Sequence, residues 1–175
     1  ESVTHRGKHF TVEDARIFDL PQKPPPIVVS AFGEDAARLA AEAGDGLWTT
    51  GPRKDIIDIY RAEGGDGPVW SQLSLCWDRD REKAIDRAYR VWPQTALPGQ
   101  LSQDLRTVFH FEQAVGSVKR DEIGESLPCG PEPGPIVDSI EQAVDAGVDH
   151  VYLHQIGDPT EGFIDFWLDE VRPKL

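Results

Sequence analysis

The sequence predicts an α/β fold built on a parallel sheet. Three observations point there. Short apolar runs alternate with segments of helical composition along most of the chain. The stretch Pro24 to Gly51 holds a strand, a tight turn, a helix and a second strand, which is one βαβ unit. Its closing joint also has an echo: Ala43-Gly44-Asp45 before Leu47-Trp48-Thr49 resembles Ala146-Gly147-Val148-Asp149 before Val151-Tyr152-Leu153. Four core strands follow from this pattern, at 27–32, 46–50, 69–77 and 150–155. A (β/α)8 barrel needs eight strands and about 250 residues, so the chain carries half the strands of one.

Taken in order, residues 1–12 read as a hairpin, with Val3-Thr4-His5 and His9-Phe10-Thr11-Val12 flanking a turn at Arg6-Gly7. Ile17 and Phe18 are expected to anchor the extended segment after it. Residues 1–23 thus form a hairpin and lead-in. Pro24, Pro25 and Pro26 make a stiff entry to Ile27-Val28-Val29, which reads as a strand buried on both faces. Ser30-Ala31-Phe32-Gly33 turns the chain, with Gly33 expected to supply unusual backbone angles. Residues 34–43 are a helix whose apolar stripe is Ala36, Ala37, Leu39, Ala40 and Ala43. Gly44 stops it.

Gly51-Pro52 opens a second helix, to about Glu63, with Ile56, Ile57 and Tyr60 inward. Gly64-Gly65-Asp66-Gly67-Pro68 breaks it. Strand 69–77 follows. A helix over 78–92 comes next, capped by Asp78 or Asp80, with Ala84, Ile85, Ala88 and Val91 inward. Residues 24–92 are therefore the first βα units. The prolines and glycine at Pro93, Pro98 and Gly99 interrupt the rhythm, and residues 93–133 read as an insertion over one end of the sheet. It contains helical pieces at 101–118 and 121–126, the latter capped by Asp121. Residues 134–175 are the last βα unit: helix 135–146, strand 150–155, and a closing helix with Phe163, Phe166 and Trp167 on one face.

Composition excludes several classes. Thirty-one acidic against 18 basic side chains give −13, which argues against nucleic acid or an anionic membrane as partner. No apolar run reaches the length of a membrane span. The pattern fits a cytoplasmic protein. Cys76 and Cys129 form no CxxC, and two buried thiols are the expected state. His5, His9 and His110 show no ligand spacing, so no metal site is expected. His150 precedes its strand and reads as structural. A chain opening on Glu1 without a Met reads as a piece of something longer.

On these residues alone the SAFG turn has two readings: an ordinary tight βα connection, or N–H groups and a helix N-terminus offered to an anion such as a phosphate. His154, at the end of the last strand, is either a hydrogen-bonded structural His or a group facing a ligand. Trp48 and Trp77 flank strand ends, where an indole packs a core or stacks on a planar ring. Ser30 has no G-x-S-x-G context, so it is not expected to be a nucleophile.

The blocks FTVEDARIFDLP (10–21), PPPIVVSAFG (24–33), AGDGLWTTG (43–51), HFEQA (110–114), ESLPCGPEP (125–133), AGVDHVYLHQIG (146–157) and EGFIDFWLDEVRP (161–173) together resemble a known family. It is the luciferase-like flavin and deazaflavin oxidoreductases, in the branch related to the coenzyme F420-dependent glucose-6-phosphate dehydrogenases. The resemblance implies the C-terminal half of a (β/α)8 TIM barrel, strands five to eight, with an insertion after the third core strand. It also implies that Ser30, Ala31, Phe32, Gly33, Thr49, Thr50 and Gly51 hold the cofactor's phosphate-bearing tail. The implied cofactor is F420, with FMN as the alternative.

The resemblance puts the catalytic His and Glu in the other half of such an enzyme, so no catalytic residue is expected here. Gln113 and Ser126 stand where basic groups would meet a sugar phosphate. Lys54 is left as the one cation for substrate, with His154 beside it. The implied partners are a small-molecule cofactor and substrate, and an N-terminal half-barrel or a second copy covering the open sheet edges. The other functional readings are a non-catalytic half-barrel binding module, an FMN-dependent monooxygenase segment, or a fragment with no function of its own.

Overall fold

The computed structural model describes residues 2–99 and 101–175. Two sheets are present among them. The first is a hairpin of β1 (Val3–Arg6) and β2 (Thr11–Ala15), antiparallel and exposed along its whole length. The second is a four-stranded parallel sheet of β3 (Val28–Ser30), β4 (Gly46–Thr50), β5 (Val69–Leu75) and β6 (His150–Gln155), with strand order β3-β4-β5-β6. The predicted parallel sheet and its chain-order neighbours are therefore present.

Helix α1 (Glu34–Ala43) connects β3 to β4, and α2 (Lys54–Ala62) connects β4 to β5. Their buried residues are Ala37 and Ala40 on α1, and Ile56, Ile57 and Tyr60 on α2. These side chains join Leu47, Val69, Leu73 and Leu75 of the sheet in one core. Helices α7 (Gly134–Asp145) and α8 (Thr160–Phe166) add Ile136, Ile140, Phe163 and Phe166 to the same core. All four helices thus pack against one face of the sheet.

The register shows which side chains stand on the other face. Ser30 pairs with Trp48, Trp48 with Trp70, and Trp70 with His150. Further along, Thr50 pairs with Gln72, Gln72 with Tyr152, and Ser74 with His154. Partners in a ladder share a face. This second face is therefore aromatic and polar, and Trp48, Trp70, Gln72 and His154 are only half-buried. Trp48 and Tyr152 lie 5.1 Å apart by ring centroid, and Trp70 stacks on His150 at 5.5 Å.

The sequence echo has a structural meaning. Asp45 donates its N–H to Ile27 O, at 2.7 Å, and accepts Ile27 N–H on Oδ2, at 2.7 Å. Asp149 does the same to Val69, at 2.9 and 2.8 Å. Each Asp pins the start of the neighbouring strand, at Ile27 just before β3 and at Val69 heading β5, and so sets the register. At the joint between β4 and β5 the device is Gly67, where a Cβ would strike the Asp45 carbonyl. Gly147, at φ +97°, ends the helical run that precedes the second Asp.

Between β5 and α7 the chain makes its long excursion. It holds α3 (Arg81–Val91), a short 3₁₀ turn, α4 (Leu101–Asp104), α5 (Val108–Val115) and α6 (Arg120–Ser126). A second core forms here, from Cys76, Ala84, Ala88, Leu97, Val118, Ile123, Leu127 and Ile156. Helix α3 belongs to this second core, and α7 packs on the sheet. Helix α3 thus contributes Ala84 and Ala88 to the core that the excursion builds.

Several local expectations are corrected. Ile27 is 62% exposed, and Val28 and Val29 are half-buried, because β3 has one neighbour and is an edge strand. Ile17 and Phe18 are exposed, so neither is part of the core clusters. Leu39 lies off the buried stripe of α1, and Val91 is exposed at the end of α3. Asp80 caps α3, accepting from Glu82 N and Lys83 N. Helix α6 begins one residue earlier than expected, capped at Lys119, whose N–H is held by Glu122 Oε2 at 2.9 Å. Trp77 is core, stacked on Phe166 at 5.5 Å.

Candidate functional site

Two βα turns stand side by side at the C-terminal ends of β3 and β4. The first is Ala31-Phe32-Gly33, running into α1. Ala31 is buried and donates its N–H to Trp48 O at 3.0 Å, which fixes the turn to β4. Gly33 sits at φ −142°, ψ 172°, so it is extended and makes no use of glycine's special angles. Its value lies elsewhere: a Cβ there would meet nothing within 4 Å. The backbone faces open space. No side chain caps the N-terminus of α1, which leaves first-turn N–H groups without an intrahelical partner. Glu34 in that turn is tied down by Arg38 at 2.6 Å.

The second turn is Thr50-Gly51-Pro52. Gly51 takes φ +77°, a conformation that favours glycine. Its N–H goes to Gln72 O at 3.0 Å. Its carbonyl accepts from three donors: Ser71 Oγ at 2.9 Å, Arg53 N at 2.9 Å and Thr49 Oγ1 at 3.3 Å. Thr49 and Ser71 are fully buried. The Thr49 hydroxyl thus holds the turn from within the core, and of the predicted set Ser30 and Thr50 are exposed while Phe32, Gly33 and Gly51 are half-buried. Ser71 supports the turn although nothing in the sequence singled it out. The signal was a lone hydroxyl on the helix-facing register of β5.

Arg53 joins the two turns. Its Nη2 donates to Phe32 O at 3.4 Å, while Nε and Nη2 hold the Asp55 carboxylate at 2.9 and 2.7 Å. That double hydrogen bond keeps Asp55 below the usual carboxylate range. Arg53 was passed over in the sequence in favour of Lys54. Lys54 instead forms an exposed pair with Asp58 at 2.6 Å, one helical turn along α2. The cation at the paired turns is Arg53.

His154 lies on the face away from the four helices, in register with Ser74. Its Nδ1 is 3.2 Å from Ser74 Oγ, and the Trp92 ring meets it edge-on at 5.1 Å. Beside it opens a cavity of about 410 Å³ bounded by Thr50, Gly51, Gln72, Ser74 and the 126–128 segment. The paired turns therefore border both an uncapped helix end and this cavity. Such a setting can take an anion through backbone N–H groups and Arg53, with a larger group lying along the sheet.

Cys76 and Cys129 also meet. They face each other across an isolated parallel bridge, with Cys76 N–H to Pro128 O at 2.9 Å and Gly130 N–H to Cys76 O at 3.0 Å. Both thiols are free. This bridge ties the end of the excursion to the end of β5, next to the cavity.

A family model described as luciferase-like monooxygenase matches residues 1–150. Among curated relatives, an F420-dependent glucose-6-phosphate dehydrogenase of Amycolatopsis mediterranei (strain U-32) is 26% identical over 190 residues, covering all of this chain and 56% of the relative. A protein of the same name from Intrasporangium calvum is 27% identical over 188 residues, again covering all of this chain and 56% of the relative. Among solved structures, an F420-dependent secondary alcohol dehydrogenase in complex with an F420-acetone adduct superposes with a TM-score of 0.78 at 22% identity. That match covers 98% of this chain and 55% of the other, and it is a likeness of fold. The chain spans about half the length of the curated relatives it matches.

Proposed function

The chain belongs to the luciferase-like monooxygenase family, and on that premise we propose that it is one half of a coenzyme F420-dependent oxidoreductase. In this reading its four parallel strands are strands five to eight of a (β/α)8 barrel. The paired turns hold the phosphate of the cofactor's tail. The observation that carries the site is the junction itself: Arg53 bridges to Phe32 O beside an uncapped α1 and an unobstructed Gly33.

The residues fit such a group. Phosphate oxygens accept from backbone N–H groups at 33–36 and from Thr50, and the Arg53 guanidinium, although paired with Asp55, keeps its Nη1 side to donate. Thr49 and Ser71 keep Gly51 in place from below. Deazaflavin carries hydride when bound, passing it to or from a small organic substrate. This chain's own residues bind and orient. Trp48, Tyr152 and His154 stand on the face along which a planar ring would lie, and Thr95 and the 126–128 segment of the excursion form part of the cavity wall. The acid and base of the reaction belong to the other half, so the chain by itself is inactive. The open edges at β3 and β6 are covered by an N-terminal half-barrel or by a second copy.

Titrating the purified chain with F420, followed by its fluorescence, tests this. Saturable binding that weakens when inorganic phosphate is added supports the reading. Absence of binding, or clearly tighter binding of FMN in a parallel titration, overturns the cofactor assignment.

A further inference from the structure

The cavity beside the paired turns has a hydrogen-bonding character that its composition conceals. Thr95, Ser126 and Ser139 line it, and each hydroxyl has already spent its proton on the backbone. Thr95 Oγ1 donates to Trp92 O at 3.1 Å, Ser126 Oγ to Ile123 O at 3.0 Å, and Ser139 Oγ to Pro135 O at 2.8 Å. What these oxygens offer an occupant is lone pairs. The Gln72 and Gln142 carboxamides also line the wall, and no charged side chain does. Its volume, about 410 Å³, falls within the roughly 300–1,000 Å³ of small-molecule sites.

The adjoining space sharpens the preference. A second cavity of about 510 Å³ shares Ser126, Ser139 and Gln142 with the first. It carries Glu125, Glu132 and Asp138 against the single guanidinium of Arg81. A dianionic phosphate would find no cation in this cavity, three hydroxyls whose protons are already engaged, and carboxylates in the adjoining space that repel it. A hydroxylated neutral molecule would instead donate its own O–H groups to the three lining hydroxyl oxygens and exchange bonds with the two carboxamides.

We propose that this cavity takes a neutral, hydroxyl-rich small molecule of the polyol or sugar class, and not a phosphate ester. The oxidoreductase reading enters only in making that molecule the substrate; the binding preference stands on the cavity alone.

Sorbitol and sorbitol 6-phosphate are the probes, titrated separately into the intact chain and followed by backbone amide NMR. Sorbitol is expected to shift the amides around residues 95, 126 and 139, and the phosphate to bind at least about tenfold more weakly. Ser126→Lys, at an exposed position, replaces an acceptor by a cation and is expected to reverse the order. Equal or tighter binding of the phosphate by the unaltered chain overturns the proposal. So does a folded chain that sorbitol leaves unshifted.

A parallel titration with F420 reads amides 32–36 instead. Silence there with sorbitol binding intact sinks the cofactor reading and leaves this one standing. The opposite pattern sinks only this one.

Discussion

Arg87 and Asp78 form the most enclosed ion pair among the described residues, with Nη2 to Oδ2 at 2.6 Å and only 18% and 16% of the two side chains exposed. The same guanidinium donates from Nη1 to Trp77 O at 3.2 Å. It therefore fastens α3 to the end of β5, where the sheet core and the excursion core meet.

Arg87→Ala is expected to destabilise the chain by about 2–3 kcal/mol, since it strands a largely enclosed carboxylate. The pH dependence follows from Asp78, held below the usual carboxylate range chiefly by the Arg87 hydrogen bond. A depressed carboxylate stabilises the fold above its unfolded value, near 3.9, and that contribution is lost as pH falls through the lower folded value. Urea denaturation at pH 7 and at pH 2 checks this. The gap between wild type and variant should narrow at acid pH.

Alkaline stability has a different source. Burial, with Cys76 close by, pushes the Cys129 thiol up to about 11. Burial raises Cys76 in the same direction. Below about pH 8.5 both folded and unfolded thiols are protonated and the contribution is whole. Above that the unfolded chain ionises first, so stability falls up to about pH 11, by on the order of 2 kcal/mol. Denaturation midpoints at pH 8 and pH 10.5 would measure the loss, and Cys129→Ala should flatten it.

Gly33→Val separates folding from binding. A Cβ at this position meets nothing, and the backbone is already extended, so the stability change should stay below about 1 kcal/mol. The added isopropyl group would stand over the N–H groups at the start of α1. Affinity for F420 should fall beyond detection, while Arg53→Ala should lower it about tenfold. Equal affinity of wild type and Gly33→Val would remove the turn from the site.

The sheet edges predict association. Strand β3 has β4 as its one neighbour and β6 has β5, so each leaves one side unpaired among the described residues. Sedimentation of the chain alone should show self-association that rises with concentration. Ile27→Lys places a charge beside the β3 edge and should shift the distribution toward monomer. A single monomeric boundary for the unaltered chain at high concentration would contradict the edge argument.

Periodicity made the sheet and its helices legible. Ile56, Ile57 and Tyr60 recur at helical spacing and are buried together, and the Ala-Gly-Asp echo marks real joints. The errors fall where tertiary neighbours decide the outcome. Ile27-Val28-Val29 has a core strand's composition and reads as buried on both faces, but as the edge expected of a half-barrel it leaves Ile27 exposed. Helix α3 is amphipathic like the others, and periodicity says nothing about which core receives its stripe.

At the site, the two glycine-bearing turns were visible in the chain, but the unusual backbone angle expected at Gly33 is found at Gly51. Gly33 is extended, with open space where a Cβ would stand. Arg53 and Ser71 were hidden, because one acts on a turn some twenty residues before it and the other on a turn some twenty residues before it on the adjoining strand. The Cys76–Cys129 bridge was hidden for the same reason.

The two aspartates that pin strand starts divide the sheet into a pair of doublets, β3 with β4 and β5 with β6. Each doublet carries its own alignment instruction within a joint of a few residues: an Asp that both donates to and accepts from the backbone at its neighbour's start. A part that brings its own alignment can be copied in a gene, and the copy will pair correctly wherever a strand is there to receive it. Growth of such a sheet by duplication then needs no simultaneous change elsewhere. The excursion after β5 lengthens the route between the members of the second doublet without disturbing their register.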